Sequence, residues 1–393
     1  MRPYRTLGVI PPKRHMQFRP SGNLAYEELF GRIGFSGPSS LLYHTHLPES
    51  THKITPGNED ISPPVHEDAH RQAHLKGMDL PRGGNVIEHR TWLLANDDIR
   101  IGIAVPDSGQ SRLYVNGSAD EVLFFHKGSG ILHSQFGRIA IREHDYCVIP
   151  RGTIYRLEID LAAEPRILCL EITGLVESPA RYRAYNGQLT EIAPYSERDV
   201  RGPEELEHEE GAVELLVKRS QRFSTYELDN HPFDIIGWDG TVYPYCFNIH
   251  DFEPRAGRFH VPPPIHQTFE APNLVICSFV PRKLDWDPEA LFLPYHHSNL
   301  DSDEVLYYVD GNYQARRGIH QGSFTHHVGG LPHGPQPGAV EASLSREPVT
   351  DELAVMVDTF RPLGRTQSAI DISDPTYPFS WHNADQGGST SIP

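Results

Sequence analysis

Pro294-Tyr295-His296-His297-Ser298-Asn299-Leu300-Asp301-Ser302-Asp303-Glu304, and further on Gly322-Ser323-Phe324-Thr325-His326-His327-Val328-Gly329-Gly330-Leu331-Pro332-His333-Gly334, decide how this chain is read. The first stretch reads His297-x-Asn299-x4-Glu304-x6-Gly311, and His333 follows after a turn-rich gap. Two imidazoles and one carboxylate on one face of a divalent metal leave coordination positions open. That arrangement suits non-haem Fe(II) and oxygen chemistry. The expected ligands are His297, Glu304 and His333. His296 is the adjacent imidazole, and neighbouring residues of an extended chain face opposite ways, so only one of the pair can reach the metal. His297 is favoured because it alone fits a spacing that recurs elsewhere.

The recurrence lies in the first half. Tyr114-x-Asn116-x4-Glu121-x6-Gly128 repeats the spacing, and each Glu precedes an apolar run, Val122-Leu123-Phe124-Phe125 or Val305-Leu306-Tyr307-Tyr308. Such runs, closed by Gly, read as buried strands ending in turns. Ile149-Pro150-Arg151-Gly152-Thr153-Ile154-Tyr155 stands where Val328-Gly329-Gly330-Leu331-Pro332-His333 stands in the other half. Tyr114 and Tyr155 thus occupy both histidine positions. A phenol is a poor ligand for a divalent metal because it must first lose a proton with a pKa of about 10. These paired motifs resemble those of a cupin barrel. The repeat predicts an all-β dominated bicupin: two double-stranded β-helix (jelly-roll) barrels of common origin, preceded by an N-terminal arm, with metal in the second barrel.

The expected divisions are an N-terminal arm and cover over 1–84, a degenerate barrel over 85–175, a connection over 176–235, a metal-binding barrel over 236–363 and a tail over 364–393. At 393 residues the chain can form two packed domains. Its 34 Pro and 33 Gly suit short strands joined by turns. Residues 1–60 lack steady periodicity and carry Arg2, Arg5, Lys13, Arg14 and Arg19, a basic cluster expected to pack over a barrel or a neighbouring subunit. The acidic run Glu204-Glu205-Leu206-Glu207-His208-Glu209-Glu210 reads as a solvated connection, in part helical. The end of the tail is expected to be mobile.

A net charge of -17 argues against general binding to nucleic acid or anionic membranes. No apolar run approaches a membrane span, and the basic start is not followed by the apolar core of a signal peptide. Cys169 and Cys277 lie in apolar runs, and with no Cys-x-x-Cys pair the thiols read as buried in a reducing cytosol.

Two more histidines stand near the motifs, His266 before the apolar run at Leu274 and His327 six residues before His333. Either could accept a proton from a substrate hydroxyl, or orient a ligand from behind. Tyr313 is either a phenol donor to substrate or ordinary aromatic packing.

The run from Pro294 to Val305, with Pro332-His333-Gly334-Pro335, resembles homogentisate 1,2-dioxygenase and its shorter bacterial relatives. Gly8-Val9-Ile10-Pro11-Pro12-Lys13-Arg14-His15 and Ser39-Ser40-Leu41-Leu42-Tyr43-His44 look like those relatives too. The resemblance implies one Fe(II) in the C-terminal barrel, held by His297, Glu304 and His333. It implies His266 as the base, and His327 and Tyr313 in contact with substrate. It further implies a small aromatic substrate and dioxygen, both of whose atoms enter the product, and a homo-oligomer built as a trimer or hexamer. This chain has one more residue between the first His and the Glu than the animal enzymes, and no residue is placed against a substrate carboxylate. Homogentisate, gentisate and a bare hydroquinone stay open as substrates, as does a non-oxygenase cupin metalloenzyme (isomerase or hydrolase).

Overall fold

The structure is a computed structural model that describes residues 3–382 apart from 68, 314, 315 and 317. The chain divides into two compact units. One holds residues 1–63, 81–251 and 269–272; the other holds 64–80, 252–268 and 273–393. Both are built from antiparallel strands, as the turn-rich composition requires.

The repeat is visible as a shared frame. Asp120–Lys127 in the first unit and Asp303–Asp310 in the second are each buried along seven residues and exposed at the eighth. Gly128 and Gly311 follow with φ of +94° and +93°, a left-handed turn that glycine adopts without strain. In the first unit Glu121 lies opposite Ile149 on one flanking strand and Glu171 on the other. In the second unit Glu304 lies opposite His327 and Asp358 in the same way. Tyr114 pairs with Tyr155, and His297 pairs with His333. The two tyrosines therefore stand where the two histidines stand, rung for rung.

The alternation of each strand sets its contents. In the first unit Glu121, Leu123 and Phe125 share a face with Cys169 and Ile167, and all but the glutamate belong to one buried cluster with Trp92, Tyr114 and Tyr155. The polar end of this interior is closed by charge pairing. Arg90 donates to Glu121 at 2.5 Å and to Glu171 at 3.2 Å. Lys218 contacts Glu171 and Asp60, each at 2.5 Å, and Arg100 contacts Asp60 at 2.9 Å. Tyr155 donates to Glu121 at 2.8 Å. Here a guanidinium neutralises the glutamate whose counterpart in the second unit is Glu304.

Two expectations change. Residues 1–60, which lack steady periodicity, nonetheless supply strands: Arg5–Gly8, Tyr26–Gly31 and Ser39–His44 share a four-stranded sheet with Ile235–Gly240, and Thr51–Glu59 edges a seven-stranded one. The polar stretch 176–232 contains the strands Val213–Arg219 and Arg222–Leu228, paired along their full length. Its polarity misled because charged residues punctuate both strands, Glu214, Arg219 and Arg222 exposed at the surface and Lys218 buried against Asp60 and Glu171. Of the tail, 383–393 lies outside the described residues, and 364–382 is ordered into the second unit through a short helix, Gln367–Asp371, and a turn at Tyr377–Phe379.

Removing Arg90 leaves Glu121 buried without its cation. Arg90→Leu is expected to lower the unfolding free energy by about 3–5 kcal/mol in urea denaturation. The double variant Arg90→Leu/Glu121→Leu is expected to recover most of that loss, since the penalty belongs to the unpaired charge.

Candidate metal centre

Three elements bring the centre together. Glu304 projects from the strand Asp303–Asp310 on the same face as Leu306 and Tyr308. His297 and His333 are held by reciprocal backbone bonds, His297 N–H to His333 O and His333 N–H to His297 O, both 2.9 Å. That pairing puts the two rings side by side with centroids 4.3 Å apart. His297 Nε2 lies 3.6 Å from Glu304 Oε2, and His333 Nε2 lies 3.5 Å from Glu304 Oε1. One ligand atom from each residue falls within 4.8 Å of the others, and no other such group of three occurs among the described residues. His296 is exposed.

The tautomers are set from outside. His297 Nδ1 donates to Tyr295 O at 3.3 Å, and His333 Nδ1 donates to Leu331 O at 3.4 Å. Each neutral ring then turns an unprotonated Nε2 towards the carboxylate. A backbone acceptor behind the ligating imidazole is the usual support of a metal-bound histidine. Three acceptor groups converging with no donor between them repel one another unless a cation lies among them. His333 Nε2 is buried and without a hydrogen-bond partner, as expected of a nitrogen awaiting an ion. The donor set therefore fits a divalent metal.

His327 supports the carboxylate. Its Nδ1 lies 2.7 Å from Glu304 Oε1 and its Nε2 lies 3.1 Å from the Tyr377 hydroxyl. Burial lowers the His327 pKa to about 3, so the ring is neutral and carries one N–H. Glu304 can only accept, so Nδ1–H donates to it and Tyr377 O–H donates to Nε2. Burial pushes the Glu304 carboxyl up, but the surrounding imidazoles of His297, His327 and His333 more than offset this and hold it well below the usual range.

Asp358 faces Glu304 from the adjacent strand, with Oδ1 buried and unpaired. Burial and the neighbouring Glu304 push its pKa up to about 8. Arg316 donates to Gly334 O at 3.2 Å, next to His333. Neither residue was singled out from sequence. A lone Asp in the apolar strand Leu353–Thr359, matching Glu171 in the repeat, was the available signal for Asp358.

The other expected site residues sit further along the same barrel. His266 ends the turn Pro263–His266, with its ring 4.6 Å from Phe279 and a buried, unpaired Nδ1. Tyr313 packs its ring 4.5 Å from Tyr308 and has a buried, unpaired hydroxyl. Phe279 and Tyr308 share a rung with Ala354, whereas Glu304 shares one with Asp358. Four residues of strand, roughly 13 Å, separate the two rungs.

Residues 99–249 match the sequence profile of the homogentisate 1,2-dioxygenase N-terminal region. Over 385 residues, 97% of this chain and 99% of the relative, the chain is 40% identical to a protein of Saccharolobus solfataricus named as a candidate dioxygenase. It is 25% identical over 339 residues to the homogentisate 1,2-dioxygenase of Homo sapiens, covering 79% of this chain and 73% of that one. With the enzyme of that name from Bradyrhizobium diazoefficiens it shares 28% over 281 residues, 66% of this chain and 60% of the relative. Among solved structures, a cupin 2 conserved barrel domain protein from Leptotrichia buccalis aligns with a TM-score of 0.32 at 11% identity, over 70% of this chain and 88% of that one.

Fold and centre together define a two-barrel cupin whose His297, Glu304 and His333, a cluster that could hold a metal ion, lie in its C-terminal unit. The chain belongs to the homogentisate 1,2-dioxygenase family.

Loading purified protein with Fe(II) or Mn(II) is expected to give one tightly bound ion per chain by elemental analysis, and Glu304→Ala to abolish it. His327→Ala, which removes only the support of Glu304, should weaken binding about 10–100-fold.

The proton competes with the metal. Hydrogen bonding to Glu304 raises the His297 pKa above the ordinary 6.5, with burial opposing. A ligating imidazole must be neutral, so affinity should fall as pH drops through this raised pKa and level off above it. Calorimetric titration across that range reads the slope directly.

Proposed function

We propose that this chain is an Fe(II)-dependent ring-cleaving dioxygenase acting on homogentisate or a related para-dihydroxy aromatic. The observation that carries the reading is the convergence of His297, Glu304 and His333, with their acceptor atoms turned towards one point, in a barrel whose twin has tyrosines and an arginine at that place. Iron bound there would activate dioxygen and pass electrons to it from the ring.

The chain's own residues supply the rest. Burial lowers the His266 pKa to about 3, with the charge of Arg282 adding to the effect. The ring is therefore neutral at working pH and its unpaired Nδ1 is free to take a proton. Its rung lies away from the ligands, which supports a role at the second hydroxyl of a para-dihydroxy ring lying along the strands. The unpaired Tyr313 hydroxyl lies near the same rung and would donate to substrate. Buried apolar walls, Leu306 and Met356 among them, exclude water between the two ends.

The working form in this reading is a homo-oligomer, trimer or hexamer. The edge strand Thr51–Glu59, exposed along its whole length, offers a surface for a neighbouring subunit. No helix among the described residues is long and apolar enough to cross a membrane.

Oxygen uptake by Fe(II)-loaded protein should appear with homogentisate first and gentisate second, and vanish with Zn(II). His266→Ala should retain the metal and lose about 100-fold in kcat. A neutral buried histidine binds fewer protons than the unfolded chain between pH 6.5 and about 3, so it costs stability as pH falls through that window. The same variant should therefore flatten the acid side of the stability profile.

A further inference from the structure

We infer that Arg316 binds the carboxylate of an acidic substrate, on the ring carbon next to the hydroxyl held at the metal. The inference rests on the dioxygenase reading and deepens it by assigning the anion-binding group.

Arg316 lies at the metal end of the barrel. Its Nη1 donates to Gly334 O at 3.2 Å, and Gly334 directly follows the ligand His333. Trp381 holds the same carbonyl at 3.1 Å, and its ring lies 5.8 Å from the guanidinium carbon. The phenols of Tyr308 and Tyr377 and the charge of Glu304 also act on the guanidinium. Tyr377, whose phenol feels the Arg316 charge, is hydrogen-bonded to His327 and His327 to Glu304, so the cation stands beside the path that ends at Glu304.

Among the described residues no carboxylate oxygen lies within 4 Å of Arg316. In the first unit the cations placed inside the barrel are satisfied: Arg90, Arg100 and Lys218 each meet a carboxylate at 2.5–2.9 Å. A guanidinium drawn out of water without a carboxylate is costly, and its planar fork suits a carboxylate ligand. A divalent ion and Arg316 carry three positive charges; Glu304 and, when ionised, Asp358 offset at most two, and Glu352 is shared with the second cation Arg282, so the complete centre favours an anion. Arg282 is the rival. It donates to Val280 O at 3.1 Å and lies over Phe279, at the His266 end, too far along the strands for a group beside the metal-held hydroxyl.

Arg316→Gln and Arg316→Lys are compared with Arg282→Gln in Fe(II)-loaded protein. Homogentisate and its methyl ester are titrated anaerobically by calorimetry, and both are then assayed for oxygen uptake. Loss of a charge-assisted pair should weaken homogentisate binding in Arg316→Gln about 30-fold or more, leave the ester within about 3-fold, and spare Arg316→Lys in part. Arg282→Gln should not discriminate acid from ester. Equal losses for acid and ester in Arg316→Gln, or lost metal in both Arg316 variants, would mean that Arg316 only supports the path to Glu304, and would overturn the assignment. Discrimination moving to Arg282→Gln would overturn it too. Wild-type protein that binds the acid selectively through Arg316 without taking up oxygen would refute the dioxygenase reading and leave the carboxylate site standing.

Discussion

Everything at the centre depends on one backbone pairing, the reciprocal hydrogen bonds between His297 and His333. Histidines 36 positions apart cannot share an ion unless the backbone brings them side by side. The bridge does this, and the carbonyls of Tyr295 and Leu331 then turn both Nε2 atoms inward. Glu304 enters from a different strand, fixed by its own ladder and by His327 behind it. The result is a cluster of acceptors stable only around a cation.

The first unit meets the same electrostatic problem with a cation of its own chain. Glu121 keeps its place in the ladder, but Arg90 reaches it from outside the repeated motif, and the two tyrosines replace two ligands with hydroxyls that do not need to lose a proton. Glu171, counterpart of Asp358, is likewise neutralised, by Arg90, Lys218 and Arg100. A carboxylate in the barrel interior thus calls for a cation in both units; one unit supplies it from the chain, and the other gathers His297, Glu304 and His333 in a cluster that could hold an ion. The comparison also explains the unpaired Asp358 oxygen, which has no chain cation to meet.

The second unit is graded along its strands. His297, Glu304 and His333 gather at one end with Arg316 beside Gly334, Leu306 and Met356 fill the next rung, and His266, Tyr313 and Arg282 gather near the far rung. Such a layout places charge at both ends and apolar walls between, which suits a flat aromatic ring with polar groups at opposite positions.

The convergence of His297, Glu304 and His333 and the two-barrel repeat were legible in the sequence because both are encoded in spacing. A strand presents alternate residues to one face, so x-Asn-x4-Glu-x6-Gly carries its geometry with it, and the substitution of tyrosine for histidine is visible by alignment of one half with the other. The family resemblance, in turn, pointed to His266, His327 and Tyr313. The strands of residues 1–60 and 213–228 were not legible, since half-exposed strands with charged faces resemble loops in composition. Nor were Arg90, Arg316, Asp358 and Tyr377, whose roles depend on partners far away in the chain. Local periodicity determines which residues can face inward; which charge meets which, and which is left for an ion or an anion, is decided only when distant strands pair.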